Sequence, residues 1–313
     1  MSLTNFPNGI TSFGTPAPGS HYAGWWGKNV WFVDDDTGGD EVTRKGNSPG
    51  RALKTIQEAI TRSGPGDTIF LKPREIDTDT HSSHGYYSGT NIIPTGKQGL
   101  AIIGTGRGVN MGSAAQCMVE PTAACTTATI TVQSPGVCIE NLGVKAISGS
   151  KGAISANVST AQAYGLTVSN CFFKDFIGTT GYGSIHTETT HWVTIQHCIF
   201  REGGVGIKCT SLIAALRNLT IKDCDFLGKA ATWSNDIYVG DVWGLIIDNC
   251  RFGHAIPAAG ATMYITCNGI LGNNHGMISN CKFSIVTTNE AACMTLVSGI
   301  LNANCYGDDT VLT

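Results

Sequence analysis

The stretch NLTIKDCDFLG, residues 218–228, carries a pattern that recurs along the chain and decides the fold. Each copy has the order apolar, any, apolar, any, Asn/Asp/His, Cys, any, Phe. Successive copies lie 26 to 31 residues apart, a period typical of repeat proteins in which each unit packs on its neighbours. The cysteines are Cys171, Cys198, Cys224, Cys250 and Cys281. The aromatic residues after them are Phe173, Phe200, Phe226, Phe252 and Phe283.

The unit alternates between apolar and polar positions, which favours strand over helix. In residues 218–228, Leu219 and Ile221 point to one side, whereas Cys224 and Phe226 are out of phase with them by one residue. Asp223 sits at the point where the phase changes, and Asp or Asn tolerates the left-handed backbone of a tight bend. Each unit is therefore predicted to be two short strands joined at a corner residue. The predicted corner residues are Asn170, His197, Asp223, Asn249 and Asn280.

A third strand candidate follows each cysteine segment. Three short strands per repeat, with no helix between them, predict one coil of a parallel β-helix. The cysteine and phenylalanine positions should then form columns inside the coil, where reduced thiols act as small apolar groups. The third-strand candidates are residues 153–158, 184–189, 206–211, 236–241, 263–268 and 294–299.

The N-terminal end of the β-helix has a predicted cover, because an open sheet edge invites aggregation. Ser48 is predicted to cap a short amphipathic helix that has Pro49 in its first position. Leu53, Ile56 and Ile60 would face the coil, and the segment SGPGD would end the helix. The predicted organisation is an extended docking arm at 1–29, a strand and capping helix at 30–66, and the parallel β-helix at 67–313.

Composition excludes several classes of function. A net charge of −3 gives no reason to expect a nucleic-acid partner. No apolar run approaches the roughly 20 residues of a membrane span. The N-terminus has no basic start followed by an apolar stretch, so the 12 cysteines are expected to be made in a reducing cytoplasm.

Residues 31–73, WFVDDDTGGD through TIFLKP, resemble the opening of pectin-lyase-like right-handed β-helix proteins, and the repeats extend that resemblance over about residues 30–300. The resemblance implies an all-β chain: a single-stranded, right-handed parallel β-helix with about three strands per coil, a short N-terminal capping α-helix and an extended N-terminal arm. NFPNGITSFG, followed by VWFVDDDTGGD, is similar to a group of tailed-phage proteins that join such an arm to a β-helix. These proteins usually have PGH.E after the first strand, where this chain has KPREIDTDTHSSHGYYSG.

The phage resemblance implies a virion structural protein, most simply a capsid-surface decoration or head-attached protein, synthesised in the bacterial host cytoplasm. Its partners would be the major capsid protein or other virion proteins, and the rods are expected to form a homotrimer. The alternative is a tailspike-like protein that binds or cleaves a polysaccharide. No cofactor is expected. The arm residues predicted to bind a partner are Phe6, Phe13, Tyr22, Trp25 and Trp26.

A glycan-cleaving enzyme would need two carboxylates roughly 5–9.5 Å apart on one outer face. Glu188, Asp236 and Asp241 lie on third-strand candidates, and Lys208 is the basic residue among them. Glu188 is two coils, about 10 Å, from the next acidic coil. The sequence therefore favours a protein that is not an enzyme.

Two stretches have a composition that suits metal ions. The acidic loop with Asp34, Asp35, Asp36 and Asp40 offers oxygens for calcium, although a solvated turn is the favoured interpretation. The stretch with His186, Glu188 and His191 offers ligands for zinc, although a polar outer wall is favoured there. No two cysteines have the spacing of a zinc-binding pair, so no metal site is predicted.

Overall fold

The structure is a computed structural model. It describes residues 11–12, 15–16, 29–73, 86–106, 117–121, 126–146, 151–157, 163–176, 182–188, 190–203, 205–210, 216–228, 235–254, 263–269, 274–284, 294–307 and 310–312. In these ranges the strands follow one another in the order sheet 1, sheet 2, sheet 3 in each coil. This is the right-handed parallel β-helix that the repeat predicted, with three strands per coil.

Within the described residues, three long sheets surround one apolar core. Sheet 1 consists of Val30–Val33, Thr68–Leu71, Ala101–Gly104, Cys138–Glu140, Thr167–Ser169, Val193–Gln196, Leu216–Lys222, Val242–Asp248, His275–Ser279 and Ile300–Ala303. Sheet 2 consists of Tyr86–Ser88, Met118–Glu120, Gly143–Lys145, Phe172–Phe176, Ile199–Gly203, Asp225–Gly228, Arg251–His254, Lys282–Ser284, Cys305–Gly307 and Thr310–Leu312. Sheet 3 consists of Asn91–Ile93, Ile130–Val132, Ile154–Asn157, Gly183–Glu188, Val205–Thr210, Asn235–Val239, Met263–Cys267 and Met294–Thr295.

The corners between sheets 1 and 2 are turned by single residues with left-handed backbone, as the phase change predicted. Their φ angles lie between 51° and 56°. Asn and Asp suit this conformation because their short side chains can hydrogen-bond locally. Neighbouring corners are also bonded to each other, since Asn249 Nδ2 donates to Asp223 Oδ1. The corner residues are Asn141, Asn170, His197, Asp223, Asn249, Asn280 and Asn304.

The phenylalanines form one column inside sheet 2. Their ring centroids are 4.7 to 4.9 Å apart, and neighbouring rings lie within 8° of parallel. The spacing equals the distance of about 4.8 Å between neighbouring strands, so each coil adds one ring. The stacked residues are Phe173, Phe200, Phe226, Phe252 and Phe283, and all are buried.

Cysteine thiols fill a second column at the corner between sheets 1 and 2. Each thiol lies near the carbonyl two residues before it, as in Cys224 to Lys222 O at 3.1 Å. All ten cysteines in the described residues are buried and form no disulfide, whereas Cys125 and Cys293 lie outside those residues. Two further buried cysteines lie in sheet 3, where burial raises the pKa of Cys209 and of Cys267 to about 12. Such thiols stay neutral and pack as apolar groups.

The N-terminal helix begins later than the sequence predicted. Ser48 precedes only a 3₁₀ turn, Pro49–Arg51, and the α-helix α1 is Ile56–Arg62. Its cap is Thr55, whose side chain accepts the N–H of Glu58 at 3.2 Å. The prediction of one helix from Ser48 was wrong because Leu53 is extended and forms a β-bridge with Val33.

Helix α1 nevertheless covers the first coil, with Ile56, Ala59 and Ile60 buried. At the other end of the chain, Thr310–Leu312 runs antiparallel to Cys305–Gly307. Thr11–Ser12 pairs antiparallel with Thr15–Pro16 in the arm. Neither helix in the described residues has the length and apolar character that would let it cross a membrane.

Candidate functional site

The structure separates two of the carboxylates proposed for catalysis. Ile185, Ile207 and Ile237 pair in one row across three neighbouring strands of sheet 3. Asp236 precedes this row by one residue, whereas Glu188 follows it by three residues and lies two coils away. The offset places their backbone positions about 16 Å apart. That distance exceeds the roughly 5–9.5 Å that glycosidases need.

The other two catalytic candidates also form no pair of exposed acids. Asp241, just past the strand Asn235–Val239, is buried, and Asp236 is fully buried. Lys208 lies 5.5 Å from the ring centroid of Tyr238. Burial lowers the pKa of Lys208, and the nearby charge of Glu188 opposes that shift. The structure therefore brings Lys208 and Glu188 together on a partly exposed wall, where the described residues place neither Asp236 nor Asp241 as a second exposed acid.

The histidines proposed for zinc lie in different surroundings. His186 is buried against the ring of Tyr182, with centroids 5.0 Å apart, and burial lowers its pKa to about 4. His191 instead stacks on Tyr164 at the corner between sheets 3 and 1. In the described ranges no three His, Cys, Asp or Glu side chains are grouped to hold a metal ion.

The acidic loop uses its carboxylates to hold the N-terminal turns. Asp34 is buried, accepts the backbone N–H of Asp36 at 3.1 Å and pairs with Lys72 at 2.7 Å. Asp40 accepts the N–H of Lys54 at 2.8 Å and the hydroxyl of Thr55 at 2.9 Å. Asp35 and Asp36 lie in the same turn. These oxygens point to separate partners, so the loop fits the favoured interpretation of a turn.

The arm residues expected to bind a partner lie outside the described residues. They are Phe6, Phe13, Tyr22, Trp25 and Trp26.

Sequence reasoning missed a column of aromatic and basic side chains at the corner between sheets 3 and 1. Its members lie on five successive coils, close to the start of each sheet 1 strand, and their spacing follows the period of the repeat. Most of them precede a glycine or another residue with positive φ, such as Gly165, Asn218 and Gly244. We call this surface the aromatic corner; its residues are Tyr164, His191, Trp192, Arg217, Trp243 and His275.

The N-terminal half of the aromatic corner, formed by Tyr164, His191 and Trp192, is a packed aromatic group. Tyr164 and His191 stack at 5.3 Å with an interplanar angle of 19°. Trp192 meets both rings edge-on at 5.8 Å. His191 Nδ1 accepts the backbone N–H of Arg217 at 3.1 Å. Burial and the charge of Arg217 lower the pKa of His191, which keeps that nitrogen available as an acceptor at neutral pH.

The C-terminal half of the aromatic corner contains a cavity of about 330 Å³. It is lined by Arg217, Asn218, Trp243, Gly244 and His275. This volume is at the lower end of the 300–1,000 Å³ range of small-molecule sites. Trp243 pairs with Arg217 on one neighbouring strand and with His275 on the other. The Asn218 side chain packs closely against Gly244, because a Cβ at Gly244 would lie 2.6 Å from Asn218 Oδ1.

Two large aromatic surfaces of the corner are open to solvent. Trp192 is 51% exposed and Trp243 is 47% exposed. Farther along the same strands of sheet 1, Ile246, Met277 and Leu301 form a partly exposed apolar row on the outer face. Contiguous exposed apolar residues of this kind are a candidate binding surface.

Comparison with solved structures supports the fold. Pectin methylesterase from Aspergillus niger matches with a TM-score of 0.54 and 13% identity, over 90% of this chain and 87% of that chain. Pectin methylesterase from carrot matches with a TM-score of 0.55 and 11% identity, over 91% and 84%. GH136 lacto-N-biosidase from Eubacterium ramulus matches with a TM-score of 0.52 and 10% identity, over 89% and 56%.

The chain has the same fold as these proteins, a right-handed parallel β-helix. No protein-family model matches it, and no curated protein matches it. At these identities the likeness shows the fold alone, because one scaffold carries many activities. The solved structures it resembles are carbohydrate-active proteins by name.

The chemistry of the aromatic corner is that of a binding surface. Tryptophan rings offer flat apolar faces, and Arg217, Asn218 and His275 offer polar groups beside them. Aromatic or basic residues stand at this corner on five neighbouring coils, which are about 4.8 Å apart. The corner can therefore hold an extended, repeating molecule that has both apolar faces and hydrogen-bonding groups.

Proposed function

We propose that this protein binds a polysaccharide along the aromatic corner. The observation that carries the proposal is the axial column from Tyr164 to His275, with Trp192 and Trp243 about half exposed. The C–H faces of sugar rings pack on aromatic rings, and sugar hydroxyls pair with neighbouring polar side chains. The coil spacing of about 4.8 Å is close to the length of one sugar unit in an extended glycan.

The site supports retention of a glycan better than its cleavage. The cavity lining contains Arg217, Asn218, Trp243, Gly244 and His275, none of which is a carboxylate. Glycoside hydrolysis uses two carboxylates that flank the scissile bond. A binding protein needs no such pair.

Trp243→Ala is expected to weaken glycan binding about tenfold or more, because it removes the exposed ring at the cavity wall. The measurement is the Kd of the full chain for each of a panel of bacterial surface polysaccharides, determined by affinity electrophoresis. Tyr306→Ala is a matched control, since Tyr306 is an exposed aromatic residue on sheet 2. Binding of no glycan by the unaltered protein, or equal binding by Trp243→Ala, would refute the proposal.

A second proposal concerns the arm. The similarity of residues 4–19 to arms of tailed-phage proteins supports attachment of the rod to a virion, with the glycan site displayed outward. Attachment to the major capsid protein or another virion protein, and the homotrimer, belong to this proposal. A trimer would show three times the chain mass of 32.9 kDa in solution.

Deletion of residues 1–28 is expected to abolish incorporation into particles and to leave the rod folded. Asn29 should be kept, because its backbone N–H and its side chain donate to Asp67. The measurements are the amount of protein in purified particles and the melting temperature of the free protein. Glycan affinity should not change, which separates the two proposals. Undiminished incorporation of the deleted form would exclude docking through the arm.

A further inference from the structure

We propose that the glycan held at the aromatic corner is anionic and that Arg217 binds its acidic groups. The inference rests on the proposed glycan-binding function and specifies the chemical class of the ligand. The cavity beside Trp243 is lined by one guanidinium group, that of Arg217, and by no acidic side chain.

The position of Arg217 is held by its neighbours on both sides of the column. Its backbone N–H donates to His191 Nδ1 at 3.1 Å, and its carbonyl accepts the N–H of Trp192 at 2.7 Å. Its strand partner on the next coil is Trp243. A guanidinium on a backbone fixed in this way loses less conformational entropy when it binds a ligand.

Arg217 is exposed and has no carboxylate partner among the described residues. Two other arginines, Arg62 and Arg251, contrast with it. Arg62 pairs with Glu58 at 2.6 Å, and Arg251 pairs with Asp225 through two hydrogen bonds of 2.6 Å. The chain therefore leaves the guanidinium beside the exposed tryptophan ring available to a ligand.

The geometry suits an acidic sugar. A guanidinium presents a planar fork that binds carboxylate, sulfate or phosphate oxygens through two parallel hydrogen bonds. The ring of Trp243 can pack on the face of the same sugar, while Asn218 supplies an amide for its hydroxyls. His191 adds no positive charge at neutral pH, because burial and Arg217 lower its pKa. Arg217 is thus the group that selects for negative charge.

The test compares one polymer in two forms. The full chain is titrated with a polyuronate, with the same polymer after reduction of its carboxyls to alcohols, and with a sulfated polymer of neutral sugars. Tryptophan fluorescence or calorimetry reports the Kd. The unaltered protein is expected to prefer the polyuronate or the sulfated polymer to the reduced polymer by roughly 10-fold to 100-fold. Preference for one anionic polymer identifies the acidic group.

Arg217→Gln should remove this preference, because the affinity for the anionic polymers should fall much further than the affinity for the reduced polymer. Arg217→Lys should restore part of it, because an ammonium keeps the charge but loses the fork. Arg51→Gln removes an equal charge from an exposed position in the N-terminal turn and serves as the control. Added salt should weaken binding of the anionic polymers alone.

The outcomes separate this inference from the proposed function. If the protein binds both forms of the polymer equally and Trp243→Ala abolishes both, the glycan site stands and the anionic selectivity is refuted. If Arg217→Gln keeps the full preference, Arg217 is not the selecting group and the inference fails. If no polysaccharide binds, the proposed function itself fails.

Discussion

Phe226→Ala is expected to lower the free energy of unfolding by about 3–5 kcal/mol. The Phe226 ring is fully buried and stacks between Phe200 at 4.7 Å and Phe252 at 4.9 Å. Truncation removes two ring contacts and leaves a cavity that its neighbours cannot fill, because each is held by its own coil. The loss should exceed that of a typical core leucine.

Urea unfolding followed by circular dichroism measures this loss. Leu227→Ala is the matched control, because Leu227 is the next residue of the same strand and is only partly buried. Phe173→Ala should fall between the two, since Phe173 stacks on Phe200 and pairs with Val144, which has no ring, on its other side. Equal losses for Phe226→Ala and Leu227→Ala would contradict the stacked column as a main source of stability.

Asp34→Asn is expected to lower the free energy of unfolding by about 1–3 kcal/mol at pH 7. The substitution leaves Lys72 facing an amide in place of a carboxylate that is 3% exposed. The Lys72 side chain is 35% exposed, so water compensates part of the lost pairing and keeps the loss below that of a fully buried pair. The turn at Asp36 and Thr37 also loses a charged acceptor.

The loss should depend on pH. Burial alone would raise the pKa of Asp34, but hydrogen bonds from Lys72, Thr37 and Asp36, with the charge of Lys72, outweigh it and lower the pKa below 3.8. A carboxyl group with a lowered folded pKa stabilises the protein above its unfolded pKa, and this stabilisation is lost as pH falls through the folded value.

Urea unfolding at pH 7 and at about pH 2–3 checks the sign of this effect. The free energies of unfolding of the unaltered protein and of Asp34→Asn should converge at the lower pH. Asp36→Asn is the control, because Asp36 is exposed in the same turn and its backbone N–H, rather than its carboxylate, bonds to Asp34. A difference that stays constant with pH would show that the Asp34 charge contributes nothing.

Much of the fold followed from one repeated stretch. The phase change at Asp223 implied a left-handed corner, and its φ of 52° shows one. The start of the helix was missed because Ser48 and Pro49 are a local start signal, while the β-bridge between Leu53 and Val33 is a long-range contact. A local pattern cannot show that a neighbouring strand needs the same residues.

The candidate site was harder to predict. His191, Arg217 and Trp243 are 26 residues apart in succession, which is the period of the cysteines. That spacing could have revealed a column, but a polar or aromatic residue at a turn is usually just a surface residue. Glu188 and Asp236 share sheet 3, as expected, whereas Asp241 lies just past its strand. Only the strand register showed that Glu188 and Asp236 are four positions apart along it.

The sequence by itself determined the coil, its corners and the residues that fill its interior, because a period of 26 residues and an alternation of two are properties of the chain. Tertiary structure decided which outer residues share a surface. Parallel pairing places residues from neighbouring coils side by side only after the register of every strand is set. Arg217 and Trp243 meet at one cavity for that reason, and the pairing that joins them is a contact between strands.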